Sequence, residues 1–240
     1  MKKLVILLLP LILTSIVLAT DNMAEAQKHF DAGASKYEAD DNLGAIKNFT
    51  ETINLVSEFP EAYFWRAAAK HRLNDYSGAI IDCNQALEVN PKDSKAYGLR
   101  ALIKSNIGDD VGAISDYSQA IKLDSKYVAA YYERGKLKSK LGDKAGAISD
   151  FNKVKKLDPK FSLVYLDQGT EKSSSGDEVG AIKDYSKAIN LNPKFAEAYY
   201  CRGIAENELG DKENALKDLS IAGELGYMGA YDKIKEIQGK

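Results

Sequence analysis

The chain has 240 residues and a formal net charge of −2 at pH 7, with 33 lysines and arginines against 35 aspartates and glutamates. This slightly acidic balance excludes an overall attraction to nucleic acid or to an anionic membrane surface. Two cysteines and two histidines, without a Cys-x-x-Cys pair, a nucleophile elbow or a phosphate loop, predict no metal and no cofactor.

The N-terminal segment, residues 1–19, has the pattern of a secretory signal peptide. Two lysines at 2–3 precede an apolar run at 4–18, and cleavage is expected after Ala19. This predicts export to the periplasm or the extracellular space, with no membrane contact after cleavage. The alternative is an uncleaved anchor, which would make the chain a membrane-tethered assembly factor. Pro10 and the shortness of the run weigh against stable spanning.

The rest of the chain repeats itself with a period of 34 residues. Tyrosines recur at this spacing at Tyr63, Tyr97, Tyr131, Tyr165 and Tyr199. Alanines recur at Ala45, Ala79, Ala113, Ala147, Ala181 and Ala215, and aspartates at Asp41, Asp75, Asp109, Asp143, Asp177 and Asp211. Self-similarity at one fixed period predicts a stacked repeat array.

Each repeat is predicted to be a helical hairpin. In residues 128–161 the apolar positions have helical spacing on both sides of Gly142-Asp143. The glycine favours a helix end and the aspartate can cap the next helix. Gly135 and Ala147 are small at positions that are expected to face each other, so the two helices can approach closely.

This pattern resembles the tetratricopeptide repeat family. Tyr131, Gly135, Ala147, Phe151 and Pro159 match its aromatic, glycine, alanine, aromatic and proline positions. The resemblance covers residues 26–229. It implies an all-α protein, an α-solenoid wound as a right-handed superhelix, whose concave groove binds protein or peptide partners.

The phase of the pattern sets the expected boundaries. Six repeats are predicted at 26–59, 60–93, 94–127, 128–161, 162–195 and 196–229, followed by a capping helix at 230–240. Terminal repeats of such arrays need a cap because one of their faces would otherwise meet water.

One polar column accompanies the repeat. Arg66, Arg100, Arg134 and Arg202 each lie 16 residues before an aspartate, namely Asp82, Asp116, Asp150 and Asp218. We interpret these as ion pairs between the two helices of a hairpin. A phosphate-binding row is the alternative, and the aspartate beside every arginine disfavours it.

The sequence offers few groups for catalysis. Cys83 fills an aromatic core column, and the four repeats between it and Cys201 place the two thiols too far apart for a disulfide. An enzyme, or an enzyme subunit, that uses Cys201 or His71 in the groove is the rival hypothesis.

The first helix of each repeat is expected to line the groove. The candidate partner-binding residues are Phe30, Phe64, His71, Arg72, Lys95, Leu102, Tyr132, Lys136, Lys140, Tyr200 and Ile204. Aromatic anchors among a few charges are typical of recognition surfaces, although the aromatic rings could instead pack only against neighbouring repeats. The sequence therefore predicts a non-enzymatic, exported scaffold, and it does not indicate the partner or the oligomeric state.

Overall fold

In a computed structural model, the backbone is described for residues 2–239 and the side chains for residues 20–239. The predicted signal segment 1–19 therefore lies outside the residues with described side chains. Over the described backbone the chain forms thirteen helices and no strand, which confirms the predicted all-α class. Among residues 20–239, no helix combines the length and apolar character that crossing a membrane requires.

The helices follow one another as hairpins in two compact units, residues 1–124 and 125–240. The first unit contains α1 (Lys2–Glu38), α2 (Asn42–Leu55), α3 (Pro60–Arg72), α4 (Tyr76–Val89), α5 (Ser94–Asn106) and α6 (Asp110–Leu123). The second contains α7 (Val128–Lys140), α8 (Lys144–Leu157), α9 (Ser162–Ser173), α10 (Glu178–Leu191), α11 (Ala196–Glu208), α12 (Lys212–Glu224) and α13 (Ala230–Gln238). Within each unit every helix packs on the next along the chain, and α13 packs on α12.

Helix α1 extends N-terminally beyond residue 26, where the first repeat is predicted to begin. The described residues 20–25 are thus helical and precede the predicted repeat without a break.

An aspartate begins the second helix of every hairpin, as the sequence predicts. The side chains of Asp41, Asp75, Asp109, Asp143, Asp177 and Asp211 each accept a hydrogen bond from the backbone N–H three residues later. In five of the six hairpins that third residue is glycine. A Cβ placed on Gly146 would lie 2.1 Å from Asp143 Oδ2, so the glycine leaves room for the cap. The aspartate thereby satisfies one of the N–H groups that a helix start leaves unpaired.

The turn before this cap requires a left-handed residue. Gly142 has φ +85°, and glycines stand at the same place in the three other later turns. In the first two hairpins Asp40 and Asn74 adopt φ 60° and 61° instead. Asparagine and aspartate tolerate this conformation better than other residues with a side chain.

Small residues allow the two helices of a hairpin to approach closely. A Cβ on Gly135 would lie 2.7 Å from the ring of Phe151 and 3.3 Å from Asp150 Cβ. The glycine therefore admits an aromatic ring between the helices, and Ala147 is separately buried at 0% exposure.

The predicted column of arginine–aspartate pairs is present in four hairpins. The N–O distances are 2.7 Å for Arg66–Asp82 and Arg100–Asp116, 2.6 Å for Arg134–Asp150 and 2.5 Å for Arg202–Asp218. Each arginine also lies over the ring of the tyrosine three residues earlier, at 5.3–5.7 Å from its centroid. Because each guanidinium is engaged by its own hairpin, the column is structural, and the phosphate-binding alternative is disfavoured.

A lysine one turn later completes most of these pairs, which the sequence analysis missed. Lys70, Lys104 and Lys138 each lie 2.8 Å from the same aspartate as the arginine. In the fifth hairpin Gln168 replaces the arginine, and Asp184 is bound by Lys172 at 2.6 Å and by Lys155 of the preceding hairpin at 3.3 Å.

Candidate partner-binding site

All of the predicted groove residues lie on first helices of their hairpins. Phe30 is on α1, Phe64, His71 and Arg72 on α3, Lys95 and Leu102 on α5, Tyr132, Lys136 and Lys140 on α7, and Tyr200 and Ile204 on α11. Two clefts form around members of this set, one in each compact unit.

The first, the Phe64 cleft, lies in the first unit and has a volume of about 400 Å³. Its lining residues are Glu61, Phe64, Trp65, Asn90, Lys92, Asp93, Ser94 and Lys95. It brings together two predicted residues, Phe64 and Lys95, from α3 and the start of α5. Trp65 and Lys92 were not predicted to belong to the site, although Trp65 is the only tryptophan in the chain.

Aromatic contacts and a helix cap fix the shape of the Phe64 cleft. Trp65 packs edge-on against Phe64 at 5.3 Å and against Tyr37 at 5.2 Å between ring centroids. Asp93 accepts hydrogen bonds from the backbone N–H groups of Lys95 and Ala96, which places the first turn of α5 at the cleft. The Lys95 side chain is left exposed.

The end of α3 carries two of the predicted residues, His71 and Arg72. Burial lowers the pKa of His71, and its Nε2 lies 2.7 Å from the amide nitrogen of Asn106. An amide nitrogen donates, so this ring nitrogen accepts and the imidazole is neutral. Arg72 is charged, but it lies 3.7 Å over the ring of Tyr37 and donates to the Tyr37 carbonyl at 3.0 Å.

The second cleft, the Glu171 cleft, lies in the second unit and has a volume of about 240 Å³. Its lining residues are Lys136, Ser139, Lys140, Phe151, Asp167, Thr170 and Glu171. Two of these, Lys136 and Lys140, were predicted. Asp167, Thr170 and Glu171, on the first helix of the fifth repeat, were not among the predicted residues.

Electrostatics in the Glu171 cleft centre on Asp167. Burial raises the pKa of this carboxyl, and a hydrogen bond from the Tyr132 hydroxyl partly offsets the effect. Burial, and then this hydrogen bond to Asp167, raise the pKa of Tyr132. The tyrosine is therefore a permanent donor that orients one oxygen of the carboxyl group.

The predicted aromatic residues outside the Phe64 cleft are engaged in packing. Phe30 stacks on Phe59 at 5.1 Å, and Tyr200 stacks on Tyr227 at 4.3 Å. Tyr132 is only 8% exposed and meets Phe161 edge-on at 4.8 Å. Each of these contacts joins two rings of the same predicted repeat. Leu102 and Ile204 are half-buried.

The two thiols are poorly suited to nucleophilic chemistry. Both cysteines are free, and burial raises the pKa of Cys83 to about 12 and that of Cys201 to about 11. The thiolate is the reactive form, so each thiol is almost wholly protonated at neutral pH. Among the described residues, no group of three or more His, Cys, Asp or Glu side chains is arranged to hold a metal ion.

Sequence profiles of tetratricopeptide repeat families match much of the chain. One TPR repeat profile matches residues 107–142 and 174–210, and two tetratricopeptide repeat profiles match 60–93 and 128–161. Together they span more than half of the 240 residues. The chain belongs to the tetratricopeptide repeat family.

Solved structures of other tetratricopeptide repeat proteins share its fold. A MamA protein is 25% identical over 73% of this chain and 96% of its own, with a TM-score of 0.67. YrrB, titled a TPR protein with an unusual peptide-binding site, is 20% identical over 78% and 97%, with a TM-score of 0.69. PilF of Pseudomonas aeruginosa is 14% identical over 91% and 99%, with a TM-score of 0.77. No curated protein matches the chain in sequence.

These similarities confirm the predicted fold class, an α-solenoid of tetratricopeptide repeats. Proteins of this fold are generally interaction scaffolds rather than catalysts. The similarities to YrrB and PilF fall below 25% identity, so they concern the fold alone.

Proposed function

We propose that this protein is an exported, non-enzymatic scaffold that binds an extended segment of a protein or peptide partner along the first helices of its hairpins. The observation that carries the proposal is the Phe64 cleft. Half-buried Phe64 and Trp65 there share a space of about 400 Å³ with the exposed Lys95. Such a space accommodates one or two side chains of a bound segment.

The composition of the Phe64 cleft indicates the chemistry of its ligand. Aromatic side chains in a concave surface are the usual anchors of an interface. The lining also carries the exposed lysines Lys92 and Lys95 beside the exposed Glu61, whereas Asp93 accepts the hydrogen bonds that cap α5. The two ammonium groups can pair with an acidic residue of the partner. We therefore expect an apolar or aromatic residue of the partner beside an acidic one. YrrB, of the same fold, is titled as having a peptide-binding site.

The test begins with identification of the partner by pull-down of the full chain and mass spectrometry. Calorimetry then compares wild type with Phe64→Ala and Lys95→Glu, each checked by circular dichroism. Phe64→Ala should weaken binding by about 1–2 kcal/mol, because it removes an anchor. Lys95→Glu should slow association and reduce its salt dependence. Lys47→Glu, at an exposed lysine of α2, is the control and should bind as wild type does.

Wild-type affinity in both cleft variants would place recognition elsewhere on the molecule and overturn the proposed site. A hydrolase or transferase activity that Cys201→Ala abolishes, with folding intact, would instead support the enzyme hypothesis. The raised pKa of that thiol argues against this outcome.

Export is tested separately by N-terminal sequencing of the protein recovered from outside the cytoplasm. A chain that begins at Thr20 would support signal cleavage after Ala19. An intact N-terminus in the membrane fraction would favour the tethered assembly factor and exclude release.

A further inference from the structure

All five arginines of the chain are held in the same way, by a tyrosine ring and an aspartate. Arg72 Cζ lies 3.7 Å from the ring centroid of Tyr37, and its Nη1 lies 3.4 Å from Asp40. The other four lie over the tyrosine three residues earlier and bind an aspartate at 2.5–2.7 Å; they are Arg66, Arg100, Arg134 and Arg202. A tyrosine ring beside a carboxylate is therefore the environment in which this chain places a guanidinium.

Helix α11 offers a second environment of this kind. Tyr200 stacks on Tyr227, with ring centroids 4.3 Å apart and 25° between the ring planes. Glu197 precedes Tyr200 by three residues on α11, and residues three apart on a helix are neighbours. Glu197 is exposed and both rings are half-buried, so this cluster, the Tyr200 platform, can be reached from solvent. Since the five arginines lie over other rings, a guanidinium at the platform has to come from outside the chain.

The negative charge of Glu197 acts on the groups around it. Burial, and then the charge of Glu197, raise the pKa of Cys201 to about 11. Burial also raises the pKa of Tyr227, and Cys201, Tyr200 and Glu197 raise it further. The platform is thus a region of negative potential, which favours a cation.

Two repeats earlier, the chain supplies such a cation itself. Tyr132 holds in α7 the position that Tyr200 holds in α11. Lys136 Nζ lies 5.3 Å from the ring centroid of Tyr132 and 3.3 Å from Glu133. The residue that corresponds to Lys136 in α11 is Ile204. Tyr200 therefore does not receive a cation from this position of its own helix.

Two lysines near the platform leave room for a ligand. The charge of Lys233, on α13, reaches Tyr200, but its ammonium binds Glu236 at 2.8 Å. Lys194 is exposed in the turn before α11, three residues from Glu197. An exposed lysine–glutamate pair contributes only about 0–1 kcal/mol, so a guanidinium that also contacts the rings can displace it.

We propose that the Tyr200 platform binds the guanidinium group of an arginine side chain of the partner. This rests on the proposed function, since it assigns one residue type within the bound segment. The planar guanidinium can stack on a tyrosine ring while it donates to the Glu197 carboxylate. Ile204, one turn after Tyr200, offers an apolar surface to the methylene stem. A lysine ammonium has no plane to stack and is more strongly hydrated.

The probe is an acetylated and amidated pentapeptide with one arginine between two alanines on each side. It is titrated into the isotopically labelled full chain and followed by NMR. Amide signals of Glu197, Tyr200, Cys201 and Tyr227 should shift and saturate. The citrulline peptide has nearly the same shape without the charge, and it should bind about fivefold more weakly or worse. The lysine peptide should fall between the two.

Two variants change the charge of the platform in opposite ways. Glu197→Gln keeps the shape of an exposed side chain, and it should weaken the arginine peptide by about fivefold. Ile204→Lys introduces the lysine that α7 carries, and it should weaken the peptide by about fivefold or more because like charges repel. Ile204→Met lengthens the same side chain without a charge and should bind as wild type does. Glu224→Gln, at an exposed glutamate of α12, is the control for the lost carboxylate and should also bind normally.

Equal binding of the arginine and citrulline peptides, or wild-type affinity in Glu197→Gln, would overturn the inference. Equal binding of the lysine peptide would overturn the assignment to arginine. Circular dichroism checks that each variant folds. If the arginine peptide fails while partner binding still depends on Phe64, only this inference falls. If the peptide binds at Tyr200 but Phe64→Ala and Lys95→Glu leave partner binding unchanged, the Phe64 cleft falls and this site stands.

Discussion

In the last hairpin a single glutamate replaces the lysine that pairs with the aspartate in the preceding hairpins. The position occupied by Lys70, Lys104, Lys138 and Lys172 in the preceding hairpins is Glu206 in α11. Its side chain is 13% exposed and faces Asp218, with Arg202 Nε 3.8 Å from Oε1. Burial, and then the negative charge of Asp218, raise the pKa of Glu206 from its usual 4.5 to about 7. One arginine therefore serves two carboxyl groups where other hairpins use two cations for one.

This pKa makes stability depend on pH in a defined window. The folded chain holds the Glu206 proton up to about pH 7, whereas the unfolded chain releases it near 4.5. The stabilising contribution is therefore full below pH 4.5 and is lost as pH rises through 7. Glu206→Gln should flatten the slope of the free energy of unfolding in this window, measured by urea melts at several pH values.

Glu206→Lys should introduce at Asp218 the lysine–aspartate ion pair that the last hairpin lacks. We expect a gain of about 1–2 kcal/mol in the free energy of unfolding at pH 8, because a repelled buried carboxylate is replaced by a paired ammonium. Glu208→Lys, at an exposed site on the same helix, makes the same change of charge and should alter stability by less than about 0.5 kcal/mol. An equal gain in the free energy of unfolding at both sites would show that the change in overall charge, rather than the ion pair with Asp218, is responsible.

At the scale of the hairpin, local chemistry specifies where each second helix begins. The aspartate cap and the glycine three residues later act as one unit, since a Cβ on Gly146 would lie 2.1 Å from Asp143 Oδ2. In α12 Asn214 replaces the glycine, and its side chain donates to Asp211 Oδ2 at 2.8 Å. The cap is retained in this helix, with the Asn214 backbone N–H 3.2 Å from Asp211 Oδ1.

Removal of this cap should destabilise the α7–α8 hairpin. Asp143→Ala is expected to cost about 1 kcal/mol, as other N-cap removals do. Gly146→Ala should also be destabilising, although alanine is the better helix former, because the Cβ displaces the capping carboxylate. Ser149→Ala, exposed on α8, is the control and should change the melting temperature little. A stabilised Gly146→Ala variant would contradict the role of the glycine.

The elements were predictable from the sequence because they depend on short-range spacing. Period, cap aspartates, turn glycines and the Arg–Asp column all follow from residues within 34 positions of one another. The contact between Gly135 and the Phe151 ring was not predicted, since a repeat period shows which positions recur and not which side chains meet. The Glu171 cleft was missed because a single acidic residue in an apolar column carries no periodic pattern.

At the scale of the whole molecule, stability in a repeat array comes from each repeat and its contacts with its neighbours. Helix α8 packs on both α7 and α9, and Ala147 belongs to an apolar cluster that also contains Phe151, Tyr185 and residues of α9 and α11. Helix α12 packs on α11 and is followed only by the nine-residue α13. Equivalent positions in the sequence therefore have different numbers of structural neighbours.

This difference predicts unequal effects of one substitution at two equivalent sites. Ala147 and Ala215 are both 0% exposed, so leucine overpacks the hairpin at each. Ala147→Leu should cost about 1–3 kcal/mol, because strain spreads to helices on both sides. Ala215→Leu should cost less, since α12 can shift against a short terminal helix. Urea melts monitored by circular dichroism give both values, and Ala145→Leu, exposed on α8, controls for the added side chain. Equal losses at Ala147 and Ala215 would mean that the hairpins are stabilised independently of their neighbours, contrary to a stacked array.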